Sequence, residues 1–381
     1  MQHWRSEFPI LETCTYLVSH SLGAMPRRAA AYIQEFAETW STRGVRAWSE
    51  GWWELGHTTG DLLAPIIGAP PGSVSMHQNV TVALAVVGSS YEYAGRRRKI
   101  VFTDLEFPSN IYLFEGFRRY GAEIVVVPSE DAVRADIHRM IDTIDGETVL
   151  VVLSLVLFRS SCIQDAAAVI ERAHRVGAHV VLDVYQAAGV IPVDVQALGV
   201  DFAVGGSVKW LCGGPGAGYL YVRPDLAATL EPGFVGWAAH AEPFSFETTL
   251  RRAPAPERFQ SGTPNVSGLY AARAGYEIIR EVGVEAIRAR SLALTRRMID
   301  RARASGLRLN TPEDDRERGG AVIVDVPDPG RVAAELIRRG ILVDFRPGAG
   351  VRMAPHFYNT GEEADHAMAA LAEIARRAAP A

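Results

Sequence analysis

Short apolar runs rich in β-branched residues recur through the middle of the chain, at residues 100–103, 124–127, 149–153, 179–183, 201–205 and 218–222. They lack the strict alternation of a half-exposed strand, so each reads as a strand covered on both faces. Amphipathic stretches at 110–120, 132–144 and 164–176 fill several gaps between them. This β-α-β order predicts an α/β fold with a mostly parallel sheet flanked by helices. Downstream of about Pro264 the texture changes to long Ala/Arg-rich helical stretches over 269–304, then an apolar run at 321–326, a helix near 331–339 and a last helix from Gly361. That pattern predicts a smaller α+β domain built from residues 1–55 and 265–381, beside a large α/β domain at 56–264. No internal repeat or low-complexity segment interrupts it, and 251–257 and 311–318 read as surface loops.

Composition narrows the classes. The 381 residues are 48% apolar and 22% charged, with a net charge of -5, which leaves no basic face for nucleic acid. The run Arg96-Arg97-Arg98-Lys99 is too short for such a face and reads as a solvated loop before a strand. No apolar stretch reaches the roughly 18 residues of a membrane span, and the first residues lack a signal-peptide layout, so the expected location is the cytoplasm. Cys14, Cys162 and Cys212 are too scattered for disulfides or a metal cluster and are expected in the core. Neither H-E-x-x-H, zinc spacing nor a G-x-S-x-G elbow occurs, so no metal is expected.

All but two of the 39 basic residues are arginine. Of the two lysines, Lys99 belongs to the charged run, where arginine would serve equally well. Lys209 lies among small and apolar neighbours in Gly205-Gly206-Ser207-Val208-Lys209-Trp210-Leu211, where a lysine can lose its proton and an arginine cannot. Ligands of an open parallel sheet lie beyond the carboxyl ends of its strands, and both Asp183 and Lys209 fall there. Asp183 alone could simply cap the next turn. Paired with a lysine one strand further on, it suits pyridoxal 5'-phosphate (PLP), which needs an amine for its Schiff base and a carboxylate beside its pyridine nitrogen. Gln78-Asn79-Val80-Thr81, ahead of an apolar run, offers a helix start for the phosphate, although an ordinary N-cap would look the same. The loop Gly213 to Gly218 leads into a strand and matches no nucleotide motif.

Ser207 to Leu211 with the glycine loop, and Asp183-Val184-Tyr185-Gln186-Ala187-Ala188-Gly189, resemble the PLP lysine and aspartate motifs of the class V aminotransferase group of fold-type I enzymes. Within that group the chain is similar to kynureninases through TYLVSHSLG ending at Gly23, DLEFP at 104–108, GWAAHAEPFSF at 236–246, RFQSGTP at 258–264 and VRMAPHFYNT at 351–360. The resemblance spans nearly the whole chain. It implies that Lys209 carries the Schiff base and shuttles protons, that Asp183 pairs with the pyridinium, and that Phe107 stacks on the ring. It further implies a cofactor lining of Val80, Thr81, Ser154, Gln186, Ser207 and Trp237, with Thr263 donated across a homodimer interface. Arg352 would clamp the carboxylate of an amino-acid substrate, with a surface ion pair as its plainer reading, and His20, Ser21, Trp48, Trp52 and the Trp237 loop would shape the substrate pocket.

Three positions depart from the kynureninase pattern: Val208 replaces a tyrosine, Gln186 a histidine, and His20 an asparagine. Cleavage at the β-carbon is therefore the leading expectation. Beside it stand β-elimination as a C–S lyase, transamination, and a non-catalytic PLP-binding relative. A cysteine desulfurase would need a persulfide-carrying cysteine in the C-terminal part, and none follows Cys212.

Overall fold

The computed structural model describes residues 1–378. Seven strands form the central sheet: β1 (Val74–His77), β2 (Lys99–Thr103), β3 (Glu123–Val127), β4 (Thr148–Ser154), β5 (His179–Asp183), β6 (Phe202–Gly206) and β7 (Gly218–Val222). Their order is β1-β7-β6-β5-β4-β2-β3. Only β7 runs against the rest, so the sheet is mixed and mostly parallel. The reason is local: between β6 and β7 the chain makes no crossover helix and returns through the glycine loop that carries Lys209. β1 had no counterpart in the sequence pattern. It is short, wholly buried, and pairs only with β7.

Helices α1 (Arg27–Arg43), α2 (Leu55–Leu63), α3 (Val80–Gly88), α4 (Pro108–Glu115), α5 (Ala166–Arg175), α6 (Val266–Val282), α7 (Val284–Ala304), α8 (Pro329–Arg338) and α9 (Gly361–Ala378) complete the frame. The stretch 269–304 is two helices, because Gly283 adopts φ +84 and ends the first. The helix expected at 132–144 shrinks to Ile137–Thr143, since Asp131 draws the amides of Val133 and Arg134 into a turn and Asp136 caps the helix at Arg139. Residues 110–120 form α4 and a following 3-10 turn that stops at Gly121.

Two cores result. α6 packs Leu269, Tyr270, Tyr276 and Ile279 into the main core with α2 and the sheet. The second core holds Leu294, Met298, Val322, Val324, Leu336, Val351 and Leu371, joined by Leu17 from the N-terminal segment. It lies under a four-stranded antiparallel sheet, β8 (Arg308–Leu309), β9 (Val322–Asp325), β10 (Asp344–Arg346) and β11 (Gly350–Met353), in the order β10-β11-β9-β8.

One expectation about the basic run is overturned. Lys99 is the first residue of β2, is buried, and sends Nζ to Asp145 Oδ2 at 2.6 Å. Its stem crosses the buried edge of the sheet and only its tip reaches a half-exposed carboxylate. Cys162 and Cys212 are buried as expected, while Cys14 is partly exposed.

Candidate active site

Parallel pairing sets Ser154 opposite Asp183 and Asp183 opposite Val204, so the carboxyl ends of β4, β5 and β6 meet. Asp183 is buried there. Its Oδ1 accepts from the Tyr185 amide at 2.8 Å and its Oδ2 from Asn110 Nδ2 at 3.0 Å. Burial raises its carboxyl, opposed by those two bonds and by the charge of Lys209. The turn-cap reading thus holds for one oxygen, while the other is held by α4, which leaves the group oriented.

Lys209 Nζ lies 4.1 Å from the centre of the Tyr185 ring and 5.5 Å from that of Phe107. Burial pushes the amine down to about 8; Arg352 and Arg346 add to the effect, and Asp183 and Asp344 oppose it. The lysine loop is anchored from three directions. Gly23 donates its amide to Val208 O at 2.7 Å, His356 Nε2 meets Trp210 O at 2.7 Å, and Gln186 Oε1 accepts from Trp210 Nε1 at 3.0 Å. A Cβ on Gly23 would stand 2.1 Å from Lys209 O, so only glycine lets the N-terminal segment lie on this loop. The motifs SLG and APHF therefore act on the lysine through its backbone, a role that their composition did not signal.

Other expected residues divide. Ser154 is buried beside Asp183 and binds Glu106 through both its amide, at 2.9 Å, and its hydroxyl, at 2.5 Å. Gln186 is satisfied at both ends, its Nε2 donating to His20 O at 3.0 Å. Ser207 Oγ donates to Ala217 O at 2.7 Å and pairs with Tyr276 OH at 2.5 Å. Phe107 is exposed on one face and meets Phe158 edge-on. Val80 and Thr81 open α3, with Asn79 capping the amide of Val82 at 3.1 Å. The backbone of β7 packs tightly on this start, since a Cβ at Gly218 would stand 2.6 Å from Asn79.

Trp237 and Thr263 lie elsewhere. Trp237 joins an exposed aromatic group with Trp53, Phe244 and Phe246, and Thr263 is exposed beside Phe36, Trp48 and Trp52. Trp52 is buried against Phe36 and Tyr270, and so belongs to the core. Ser21 is exposed, with its amide bound to Val18 O at 2.8 Å. His20 is buried, with Nε2 2.9 Å from Asp344 Oδ1, and burial pushes it down to about 4. Arg352 is buried as well, and both N–H groups of its fork go to Asp344.

Glu106 is the residue that motif reading passed over. It is buried in DLEFP, and burial with the neighbouring charge of Asp183 raises it to about 7, against its bonds to Ser154 and Asn110. A carboxyl linked through Asn110 to Asp183 could have been suspected only from an acidic residue set between Leu105 and Phe107 in the strand-to-helix turn.

Among the described residues no group of three or more His, Cys, Asp or Glu could hold a metal ion, and no helix is long and apolar enough to cross a membrane. A lysine drawn toward its neutral form and a held carboxylate at the carboxyl edge of an α/β sheet are the groups that Schiff-base chemistry requires. The aminotransferase class-V family model matches residues 15–363, and the chain belongs to that family. It is similar to kynureninase of Bacillus mycoides, at 32% identity over 95% of this chain and 89% of that one. It is also similar to an uncharacterized aminotransferase of Bacillus subtilis, at 32% identity over 96% of both. Among solved structures it resembles a cysteine desulfurase of Thermococcus onnurineus, with TM-score 0.87, 23% identity and 98% of both chains covered. It likewise resembles a cystine C–S lyase in complex with cysteine persulfide, with TM-score 0.84, 22% identity and 96% and 99% covered.

The fold is that of the fold-type I PLP enzymes. As a class-V aminotransferase the chain takes PLP as its cofactor, and the residues present fit it. Lys209 and Asp183 offer the amine and the carboxylate, Phe107 and Tyr185 flank the amine, and the start of α3 offers amides for a phosphate.

Proposed function

We propose that the protein is a PLP-dependent lyase or hydrolase that breaks a bond at the β-carbon of an amino acid, in the manner of a kynureninase. The observation carrying this reading is the pairing of Lys209, whose amine is pushed down to about 8, with a buried and oriented Asp183 one strand away. The bound cofactor supplies the electron sink. Asp183 would be the carboxylate that favours the protonated form of the pyridine nitrogen. Lys209, whose amine burial pushes down to about 8, would supply the amine for the Schiff base and move the proton at the substrate's α-carbon. Phe107 would pack against the ring, and the amides of Val80 and Thr81 would hold the phosphate. Relatives named kynureninase at 32% identity over nearly the whole chain support the reaction class. The functional unit is then a homodimer whose RFQSGTP loops, with the exposed Thr263, complete each other's sites, as the resemblance to kynureninases implies.

Val208 favours a second reading within this class. Val208 brings no tyrosine hydroxyl beside the lysine, and the Tyr185 ring lies against the amine with its hydroxyl held protonated because burial pushes it far up. β-Elimination from a sulfur-bearing amino acid needs less proton delivery, and the cystine C–S lyase shares the fold. The experiment is to supply kynurenine and, separately, cystine to the PLP-loaded protein and to measure anthranilate and persulfide. Anthranilate release supports the first reading, persulfide the second, and neither from any amino acid tested would leave a PLP-binding relative without turnover. Val208→Tyr sharpens the choice: a roughly 10-fold or greater rise on kynurenine marks an enzyme of the first kind, while flat or falling activity on the true substrate marks the second.

A further inference from the structure

Two strands end side by side at the site, and one turn grips both. Ser154 closes β4 directly opposite Asp183 at the end of β5, and the next amide, that of Leu155, goes to Asp183 O at 2.9 Å. The turn between β2 and α4 carries Glu106 and Phe107, and Asn110 follows in the first turn of α4. Its backbone is closed by Glu106 N on Thr103 O at 3.4 Å and by Asn110 N on Phe107 O at 2.9 Å. Glu106 Oε1 accepts from the Ser154 amide at 2.9 Å, and Oε2 from the Ser154 hydroxyl at 2.5 Å. Asn110 Nδ2 reaches Asp183 Oδ2 at 3.0 Å. The turn is thus fastened to β4 through Glu106 and to β5 through Asn110. Between the two ties stands Phe107, its ring centre 5.5 Å from Lys209 Nζ.

Glu106 is a costly residue to keep there. It is 2% exposed, lies in the field of Asp183 and makes no ion pair among the described residues. Burial draws it toward its neutral form, so its charge is the part least used. What the carboxyl contributes is the pair of bonds to the end of β4.

We propose that Glu106 is a positioning residue for the cofactor: by fastening the turn to β4 it sets where Phe107 lies against the ring and keeps the Asn110 amide on Asp183. It acts through the reach of its two oxygens and not through its charge. The inference rests on the assignment of PLP to Lys209.

The test uses the PLP-loaded protein and two readouts besides turnover. One is the ellipticity of the visible cofactor band divided by its absorbance, which reports how the ring is held; the other is the rate of cofactor loss on dilution. Glu106→Ala leaves Lys209 untouched and should keep the visible band. It should lose at least about half of the normalised ellipticity and release the cofactor roughly 10-fold faster, the order of one hydrogen bond to a charged group. Glu106→Gln has the same reach without the charge and should stay within about 3-fold of the unsubstituted protein. Glu106→Asp keeps the charge but falls one methylene short, so it should behave as Glu106→Ala does, and it replaces that variant if the alanine protein does not fold. Unchanged ellipticity and release in Glu106→Asp, or a Glu106→Gln protein as impaired as Glu106→Ala, overturns the assignment. So does a loss of thermal stability with both cofactor readouts unmoved, which would mark a carboxyl that only supports the fold. An unsubstituted protein that takes up no PLP would instead overturn the assignment of the cofactor, and this one with it.

Discussion

The two halves of the site treat charge in opposite ways. Around Lys209 burial dominates: the amine moves down to about 8, Glu106 moves up to about 7, and Asp183 is raised, so each group is drawn toward its neutral form. At Asp344 pairing wins instead: its carboxyl is held well below the usual range by His20 and Arg352 despite its burial, while burial still draws Arg352 and His20 toward their neutral forms. The first region sits on parallel strands whose ends supply few compensating charges. The second sits on an antiparallel hairpin, where opposite residues are direct neighbours and ions can be matched one to one. Groups that must exchange protons are thereby separated from groups that must keep their charge.

The strongest way to break this comparison is Lys209→Ala. The variant should lose the visible cofactor band and all turnover, yet keep its unfolding free energy within about 1 kcal/mol in urea titration, since its neighbours pack on the backbone of the loop. Retained absorbance and activity would end the assignment. Next in size, Asp183→Asn keeps the shape and removes the carboxylate, and kcat should fall by at least about 100-fold with far-UV dichroism unchanged.

A third prediction couples the two regions. In the cofactor-free protein only the neutral amine captures PLP, so the capture rate should climb as pH rises through about 8 and level off above it. The folded value lies below the ordinary lysine value, so the protein stays uncharged at Lys209 between the two, where an unfolded chain is protonated. Stability of the cofactor-free form should accordingly rise with pH across that window. Because Arg346 and Arg352 help to depress the amine and Asp344 opposes them, Arg346→Gln should move the capture midpoint up and Asp344→Asn should move it down. A midpoint indifferent to both would show the regions to be electrostatically separate. The smallest effect belongs to the other lysine: Lys99→Ala should cost about 1 kcal/mol in urea unfolding, as its Asp145 partner is half-exposed, and should leave turnover unchanged.

Periodicity alone carried six of the seven central strands and the helices after Pro264, because runs covered on both faces must be uniformly apolar wherever they lie. Lys209 was legible through a scarcity: in a chain of arginines, a lysine among glycines and apolar residues marks a position where a proton must leave. Asp183 was legible as the end of an apolar run. β1 was not, since four residues offer no period, and the direction of β7 depended on the path of the glycine loop before it. Asp344 and Arg346 were missed because a charged residue in a short strand looks the same whether it faces water or another charge, and only the register of β10 on β11 decides which. Glu106 was missed because only the fold brings its turn against Ser154 at the end of β4. Local sequence thus determined which residues could change their protonation. The folded chain decided which of them are desolvated and which are paired, because both depend on neighbours that are distant in sequence.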